Sequence, residues 1–200
     1  MTEGGRAGSL EAIVLAAGAG TRFGGAKLTA PWRVGLLIHG ALIAAFAAPA
    51  RCVTVVTGTD PLVGPAAENW ANTNGKGDRL RIIHAADHAK GMAASLRAGI
   101  AALPTDTAGA FVFLGDMPDI PIAILRPLAD ALADTAKAAA PVSGGRRGHP
   151  VLFSRDLFTP LMALKGDAGA REILDGLGDS LMLIETSDPG ILFDVDTAEL

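Results

Sequence analysis

The segment EAIVLAAGAGTRFGGAKL, residues 11–28, joins an apolar run to a glycine-rich loop. Its first six residues, EAIVLA, have the apolar, β-branched composition of a buried strand. The loop that follows contains four glycines and two cations, Arg22 and Lys27, five residues apart. A glycine-rich loop between a strand and a helix brings backbone N–H groups close to a phosphate. The segment therefore predicts an α/β fold with a phosphate-binding loop after its first strand.

Two common phosphate-binding patterns do not fit this loop. The dinucleotide pattern needs glycine three residues after Gly20, where this chain has Phe23. The P-loop needs Gly-Lys-Ser/Thr, where this chain has GAKL at 25–28. Two cations on one such loop suit a triphosphate that undergoes chemistry better than a pyrophosphate that is held passively. The alternative is a flexible turn with two solvated cations.

Working outward, short apolar runs alternate with alanine-rich helical patterns. The predicted strands cover 11–16, 52–57, 80–84, 110–114, 138–142, 149–153 and 180–186, and the predicted helices cover 35–48, 61–71, 90–103, 121–136, 154–164 and 168–177. This alternation favours a three-layer, Rossmann-like α/β fold with a mostly parallel central sheet. The last two strands are candidates for antiparallel additions. Residues 1–10 are expected to be a flexible leader and residues 11–200 a single domain.

Composition excludes several classes of protein. The 200 residues carry a net charge of −4, whereas a nucleic-acid-binding protein usually has a basic excess, so no nucleic-acid partner is expected. The single Cys52, within the apolar run CVTVV, excludes an internal disulfide and a zinc cluster and is interpreted as buried. No run of about 18 uncharged apolar residues and no signal peptide occur. We expect a soluble, cytoplasmic protein without a membrane partner.

A carboxylate follows the predicted strand 110–114 in the string LGDMPDIP (114–121). Asp116 comes at the carboxyl end of that strand, and Pro118 fixes the turn that follows. Mg²⁺ takes one or two carboxylates together with phosphate oxygens and waters, so Asp116 is the expected metal ligand. The alternative for Asp116 is a helix cap, a role that we expect Asp119 to fill instead.

A second pair of carboxylates lies in FDVDT (193–197). Alternation in a strand would put Asp194 and Asp196 on one face, where they repel each other unless a cation lies between them. The alternative is a strand end with solvated carboxylates.

Two further strings follow predicted strands. GMAASLRAGI (91–100) starts a helix at Gly91 with Ser95 one turn in; the alternative is an amphipathic helix with Met92, Leu96 and Ile100 in the core. His84 and His88 precede it and are assigned no role.

GGRRGHP (144–150) brings together three donors, Arg146, Arg147 and His149, which suit an anionic, phosphate-bearing acceptor. The alternative is a solvated hairpin tip.

These strings, together with APW (30–32) and GDAGAREIL (166–174), resemble the MobA-like nucleotidyltransferase family, which has a GT-A-type fold. After Trp32 this chain departs from the family's usual Gly-Xaa-Pro-Leu and has RVGLLIHG. The resemblance implies that Arg22, Lys27 and Asp116 are catalytic and that Asp116 and Asp196 bind the metal. It implies nucleotide binding by Leu15, Ala16, Ala17, Gly18, Ala19, Gly20, Thr21, Arg22, Lys27, Gly91, Ser95 and Asp116, and substrate binding by His149, with Arg146 and Arg147.

Within that family the strings are most similar to the cytidylyltransferases of molybdenum cofactor biosynthesis. The resemblance implies Mg²⁺, or Mn²⁺ in its place, and transfer of CMP from CTP to the phosphate of molybdopterin. It also implies a molybdenum insertase and xanthine dehydrogenase-family enzymes, or their chaperone, as partners. Three alternatives stay open: guanylyl transfer or another MobA-like NTP transfer, a GT-A glycosyltransferase that uses Asp194-Val195-Asp196, and a non-catalytic nucleotide-binding accessory protein.

Overall fold

A computed structural model of the chain describes residues 9–18, 26–134, 136–166 and 169–195. Its strands are β1 (Ser9–Ala16), β2 (Pro31–Trp32), β3 (Gly35–Leu36), β4 (Val53–Thr57), β5 (Leu80–His84), β6 (Thr107–Leu114), β7 (Ala138–Ser143), β8 (Arg146–Arg147), β9 (Val151–Ser154) and β10 (Leu181–Glu185). Its α-helices are α1 (Leu37–Ala47), α2 (Val63–Thr73), α3 (Met92–Ala101), α4 (Leu125–Asp134), α5 (Phe158–Met162) and α6 (Arg171–Asp175). No helix in these ranges is long and apolar enough to cross a membrane.

One sheet organises the molecule, in the order β10-β7-β9-β6-β1-β4-β5, and β8 pairs with the C-terminal end of β7. β1 pairs in parallel with both β4 and β6, and β9 runs antiparallel between β6 and β7. The mostly parallel sheet is therefore confirmed. Strand β1 begins at Ser9, so residues 9 and 10, which the sequence analysis places in the leader, belong to the sheet.

The expected antiparallel direction is correct for β9 and wrong for β10, which pairs in parallel with β7. Long-range connections explain the difference. After β9 the chain passes the carboxyl edge of the sheet near Gly166, whose carbonyl accepts a hydrogen bond from Ala93 N–H at the start of α3. It then returns through α6, and the Ser180 carbonyl accepts from Lys137 N–H beside the start of β7. β10 therefore starts at the same end of the sheet as β7.

Helices cover both faces of the sheet, because alternate side chains of the central strand pack in opposite directions. Ala12 and Val14 of β1 belong to a core cluster with α1, α2 and α4, whereas Ile13 belongs to a second cluster with α3, α5 and α6. All three β1 side chains are fully buried. This is the predicted three-layer arrangement. Cys52 is buried, as expected.

Two local predictions are wrong where the structure involves the segment after Trp32, which departs from the family pattern. The predicted helix 35–48 begins only at Leu37, because Pro31–Trp32 and Gly35–Leu36 pair as an antiparallel hairpin. Asp119 does not cap the helix that follows Pro121. Its Oδ2 accepts a hydrogen bond from Arg33 Nη2 at 2.9 Å, so Asp119 joins its turn to the hairpin.

Candidate active site

The functional candidates lie along the carboxyl edge of the sheet, where strand order reverses. β1 has β4 on one side and β6, a later strand, on the other. Ligands in open α/β sheets bind at such a switch point, outside the carboxyl ends of the strands. The glycine-rich loop follows β1, and Asp116 follows β6. Thr59 follows β4, and His88 follows β5.

Lys27 and Asp116 form an ion pair at the switch point. Lys27 Nζ lies 2.8 Å from Asp116 Oδ2, and the two side chains are 11% and 30% exposed. Lys27 starts a 3₁₀ turn, Lys27–Thr29, and Thr29 Oγ1 donates to Asp60 Oδ2 at 3.0 Å. The turn is thus anchored to the segments that follow β4 and β6. It holds one cation and one carboxylate at a partly exposed position where a phosphate and a metal ion can reach them.

A cavity of about 580 Å³ opens beside this pair, and we call it the smaller cavity. Eight of the predicted nucleotide-binding residues line it: Leu15, Ala16, Ala17, Gly18, Lys27, Gly91, Ser95 and Asp116. Ala19, Gly20, Thr21 and Arg22 lie outside the described residues. Gly91 has a φ of 104°, which favours glycine, and it leads directly into α3, where Ser95 is only 5% exposed.

The sequence analysis missed several residues of the smaller cavity, among them Thr59, His88 and Met92. The spacing of Met92 is compatible with the core of an amphipathic helix, but its side chain is 48% exposed, whereas Leu96 and Ile100 of that helix are buried. Thr59 and His88 each follow the end of a strand, and that position in the sequence could have identified them as candidates.

A second, larger cavity of about 730 Å³ lies on the other side of β1 and β6. Arg146, Arg147 and His149 line it, as does Arg171, which the sequence analysis did not single out. Its other walls are mostly apolar and include Val112, Val151, Phe153, Leu174 and Leu183. The two cavities share Leu15, Met92 and Leu114 as a common wall. The two cavities therefore adjoin at these three residues.

His149 brings a buried imidazole to the larger cavity. Its Nδ1 is buried and has no hydrogen-bond partner among the described residues. Burial lowers the pKa of His149 below 6.5, while the Val112 backbone, Asp116 and Asp194 oppose that shift. The ring is therefore neutral near pH 7, and its buried Nδ1 is left unpaired by the described residues. Its backbone N–H donates to the Ile191 carbonyl at 2.9 Å, which fixes the loop against the C-terminal segment.

The two predicted arginines differ in their surroundings. Arg147 is half-buried, and its Nη2 donates to Asp175 Oδ1, which ties β8 to α6. Arg146 is exposed. Both line the larger cavity, so both stay candidates for an anionic ligand, with Arg147 also holding the wall together.

Asp116 fits a divalent cation by its chemistry, because carboxylate oxygens are the ligands that Mg²⁺ and Mn²⁺ prefer. Val195 N–H donates to the Asp116 carbonyl at 3.1 Å, so the C-terminal segment runs beside it. Residues 193–195 form no strand, which removes the alternation argument for Asp194 and Asp196. Asp196 itself lies outside the described residues. Within them, no group of three or more His, Cys, Asp or Glu side chains could hold a metal ion.

Comparison with known proteins adds to this geometry. The family model described as the MobA-like NTP transferase domain matches residues 12–181. Molybdenum cofactor cytidylyltransferase of Escherichia coli K12 is 28% identical over 96% of this chain and 93% of its own. Nicotine blue oxidoreductase of Paenarthrobacter nicotinovorans is 32% identical over 94% of this chain and 92% of its own.

Among solved structures, Rv0371c from Mycobacterium tuberculosis H37Rv is similar, with a TM-score of 0.76 and 26% identity over 96% of this chain and 94% of that one. The same protein has been crystallised in complex with manganese, and that structure has a TM-score of 0.69 and 22% identity over 89% of this chain and 88% of that one. The chain therefore shares both sequence and fold with these proteins.

Proposed function

The chain belongs to the MobA-like NTP transferase family, and from that premise we propose that it transfers CMP from CTP to the phosphate of molybdopterin carrying molybdenum. The products are pyrophosphate and molybdopterin cytosine dinucleotide. One observation carries the proposal. Two cavities share a wall at the carboxyl ends of β1 and β6, and the Lys27–Asp116 pair lies beside that wall. A donor and an acceptor can thus be bound side by side.

The reaction needs positioning more than it needs a base. An oxygen of the acceptor phosphate attacks the α-phosphorus of CTP, and the bond from that phosphorus to the β-phosphate oxygen breaks as pyrophosphate leaves. A phosphate monoester has a second pKa of about 6 and is mostly dianionic at pH 7, so no general base is required. Holding the two substrates in line and neutralising their charge is then the main task of the protein.

The smaller cavity is assigned to CTP. Lys27 binds the triphosphate through its ammonium group, together with Arg22 and the backbone N–H groups of the glycine-rich loop. Ser95, buried in the wall of this cavity, binds the nucleoside. Asp116 and Asp196 would hold Mg²⁺, or Mn²⁺ in its place, which neutralises charge on the phosphate oxygens when bound.

The larger cavity is assigned to molybdopterin. Its apolar walls suit a flat pterin ring system, and Arg146, Arg147 and His149 supply donors to the phosphate. A reaction of this kind takes place in the cytoplasm, with a molybdenum insertase before it and xanthine dehydrogenase-family enzymes, or their chaperone, after it.

The test is product analysis with the purified protein, Mg²⁺, each of the four NTPs in turn and molybdopterin that carries molybdenum. We expect pyrophosphate and a dinucleotide product with CTP and with none of the other three nucleotides. Products with GTP would instead indicate guanylyl transfer, and transfer of sugar from a nucleotide-sugar would indicate a glycosyltransferase.

The name of the relative from Paenarthrobacter gives a further outcome to include. Oxidation or reduction of nicotine blue, without pyrophosphate release, would indicate an oxidoreductase and would contradict the proposal. Nucleotide binding with no reaction of any kind would indicate an accessory protein.

A further inference from the structure

We propose that His88 selects the nucleotide base by accepting a hydrogen bond from the 4-amino group of cytosine, a group that uracil lacks. His88 lines the smaller cavity, although the sequence pattern gave this residue no role. The inference rests on the proposed function, since it takes the smaller cavity to be the CTP site. Three features of the structure support it: the hydrogen bonding of the ring, its packing, and its place along the sheet.

The hydrogen bond at Nδ1 determines what the other ring nitrogen can do. His88 Nδ1 lies 2.8 Å from the Ala85 carbonyl oxygen. A carbonyl can only accept, so Nδ1 carries the proton, and in the neutral ring Nε2 is left with a lone pair. No described residue hydrogen-bonds to Nε2. Ala85 is buried, and its own N–H donates to the Thr57 carbonyl at 2.9 Å, so the group that orients His88 is itself fixed.

Packing restricts rotation of the His88 ring. The His84 ring lies edge-on to it, with centroids 5.6 Å apart and planes at 68°. Edge-to-face pairs of this kind are favourable for aromatic rings. His84 is exposed at the end of β5 and does not line the smaller cavity, so it supports His88 without facing the ligand.

Other polar side chains of the smaller cavity cannot make the same distinction. Besides the Lys27–Asp116 pair, the cavity is lined by the polar side chains of Thr59, His88 and Ser95. A hydroxyl both donates and accepts, and it rotates to suit either an amino group or a carbonyl oxygen. His88 with a committed Nδ1 can only accept at Nε2 while it is neutral. It therefore favours an amino group over a carbonyl oxygen at the same place.

The order of the strands puts His88 at the base end of the site. Lys27 and Asp116 lie after β1 and β6, Thr59 lies after β4, and His88 lies after β5. Three strand spacings of about 4.8 Å separate β6 from β5, which is about 14 Å. The larger cavity occupies the opposite side, so a triphosphate held at Lys27 extends its nucleoside toward β4 and β5. The ribose lies between phosphate and base, and the base alone reaches His88.

The experiment measures dissociation constants of CTP and UTP by calorimetry, in the presence of Mg²⁺ and without an acceptor. We expect the wild-type protein to prefer CTP, and His88→Phe to weaken CTP binding about 5- to 10-fold while leaving UTP binding nearly unchanged, as expected for one neutral hydrogen bond. The matched control is His84→Phe, which keeps a ring beside His88 and should preserve the preference.

Each other outcome has a definite meaning. If His88→Phe weakens CTP and UTP equally, the ring contacts the ribose or only packs, and the inference is wrong. An unchanged ratio in His88→Phe, or no preference in the wild type, overturns it as well, while the nucleotidyltransferase proposal stands because both nucleotides still bind. Failure of every NTP to bind the wild-type protein contradicts the proposed function itself.

Discussion

The proposed function gives Asp116 two partners, Lys27 and a metal ion, which one carboxylate oxygen would bind one after the other. Asp116 Oδ2 accepts a hydrogen bond from Lys27 Nζ, and the Asp116 backbone carbonyl accepts one from Val195 N–H. Under the proposed function, a bound triphosphate would give Lys27 an additional anionic partner and would leave the carboxylate to a cation. The ion pair would then hold both charged groups in place until the nucleotide binds.

Asp116→Asn tests this at the residue scale. The amide preserves the shape of the side chain but is a poor ligand for Mg²⁺, so we expect pyrophosphate release to fall by about 10²-fold or more. The Tm should change by only a few degrees, because the side chain is part-exposed at a strand end. Asp87→Asn is the control, since Asp87 pairs with Lys90 on the exposed surface. Near-wild-type turnover by Asp116→Asn would exclude the metal role.

Lys27→Met should lower the rate by a similar factor of about 10². Because the proposed function has Lys27 and Asp116 act on the same triphosphate, the double variant with Asp116→Asn should be little slower than the slower single variant. Rates measured under single-turnover conditions would show this. Fully multiplicative losses would mean that the two side chains act independently.

At the scale of elements, helix α1 packs closely against the turn that follows Asp116. Gly40 faces Pro118 so closely that a Cβ atom would lie 2.3 Å from the Pro118 carbonyl oxygen and 2.5 Å from its Cα. Both are backbone atoms, which cannot rotate away. The position of Asp116, two residues earlier, thus depends on a glycine in a helix more than seventy residues away in sequence.

Gly40→Ala should therefore reduce both stability and activity. Overpacking of this kind costs about 1–3 kcal/mol of unfolding free energy, and the displaced turn should slow pyrophosphate release. Gly64→Ala in α2 is the matched control, because the nearest atom to its new Cβ would be 3.7 Å away. That variant should be neutral or gain up to about 1 kcal/mol from helix propensity. Urea unfolding and turnover of both variants provide the measurement.

The start of α1 also predicts a dependence of stability on pH. His39 Nδ1 accepts a hydrogen bond from Leu36 N–H at 3.1 Å, which a protonated ring nitrogen cannot do. Burial lowers the pKa of His39 in the folded protein below 6.5. As pH falls through 6.5, the unfolded chain takes up a proton that the folded ring resists, so stability falls from there toward the lowered pKa.

Unfolding free energies at about pH 7.5 and about pH 5.5 check this dependence. His39→Asn should lose less stability between the two conditions than the wild type does. His149, whose pKa burial also lowers, adds a slope of the same sign, so part of the dependence should remain. Equal slopes for the variant and the wild type would show that His39 does not contribute.

At the scale of the whole molecule, the two cavities adjoin at a shared wall of Leu15, Met92 and Leu114. Ser95 lines the smaller cavity and not the larger one, and His149 lines the larger cavity and not the smaller one. Residues without shared partners usually have additive effects on free energy. The two substrates should therefore be affected separately by changes at these residues.

Ser95→Ala should raise the dissociation constant of CTP about 5- to 10-fold, and His149→Gln should do the same for molybdopterin, each leaving the other substrate unchanged. In the double variant, the two losses should add within about 0.5 kcal/mol. Separate titrations of each substrate provide the measurement. A weaker affinity for CTP in His149→Gln, with molybdopterin binding unaffected, would reverse the assignment of the two cavities.

The sequence by itself determined the features that depend on neighbours in the chain. EAIVLA is a strand because its apolar residues suit a sheet covered on both faces, and Asp116 follows a strand of the same kind. In a parallel sheet the carboxyl ends of the strands lie at one edge, so Lys27 and Asp116 could be assigned to one site without coordinates, and the family resemblance added Ser95 to it. All three line the smaller cavity.

Only the tertiary structure decided the features that depend on residues far apart in sequence. Asp119 pairs with Arg33, eighty-six residues away, where local pattern suggested a helix cap. Met92 has the spacing of a core residue, yet it is exposed, because it lines two cavities rather than packing under a neighbouring element. The direction of β10 follows from the connection that precedes it, and the role proposed for His88 follows from the order of strands in the sheet. Both arise from packing between distant segments, on which local periodicity carries no information.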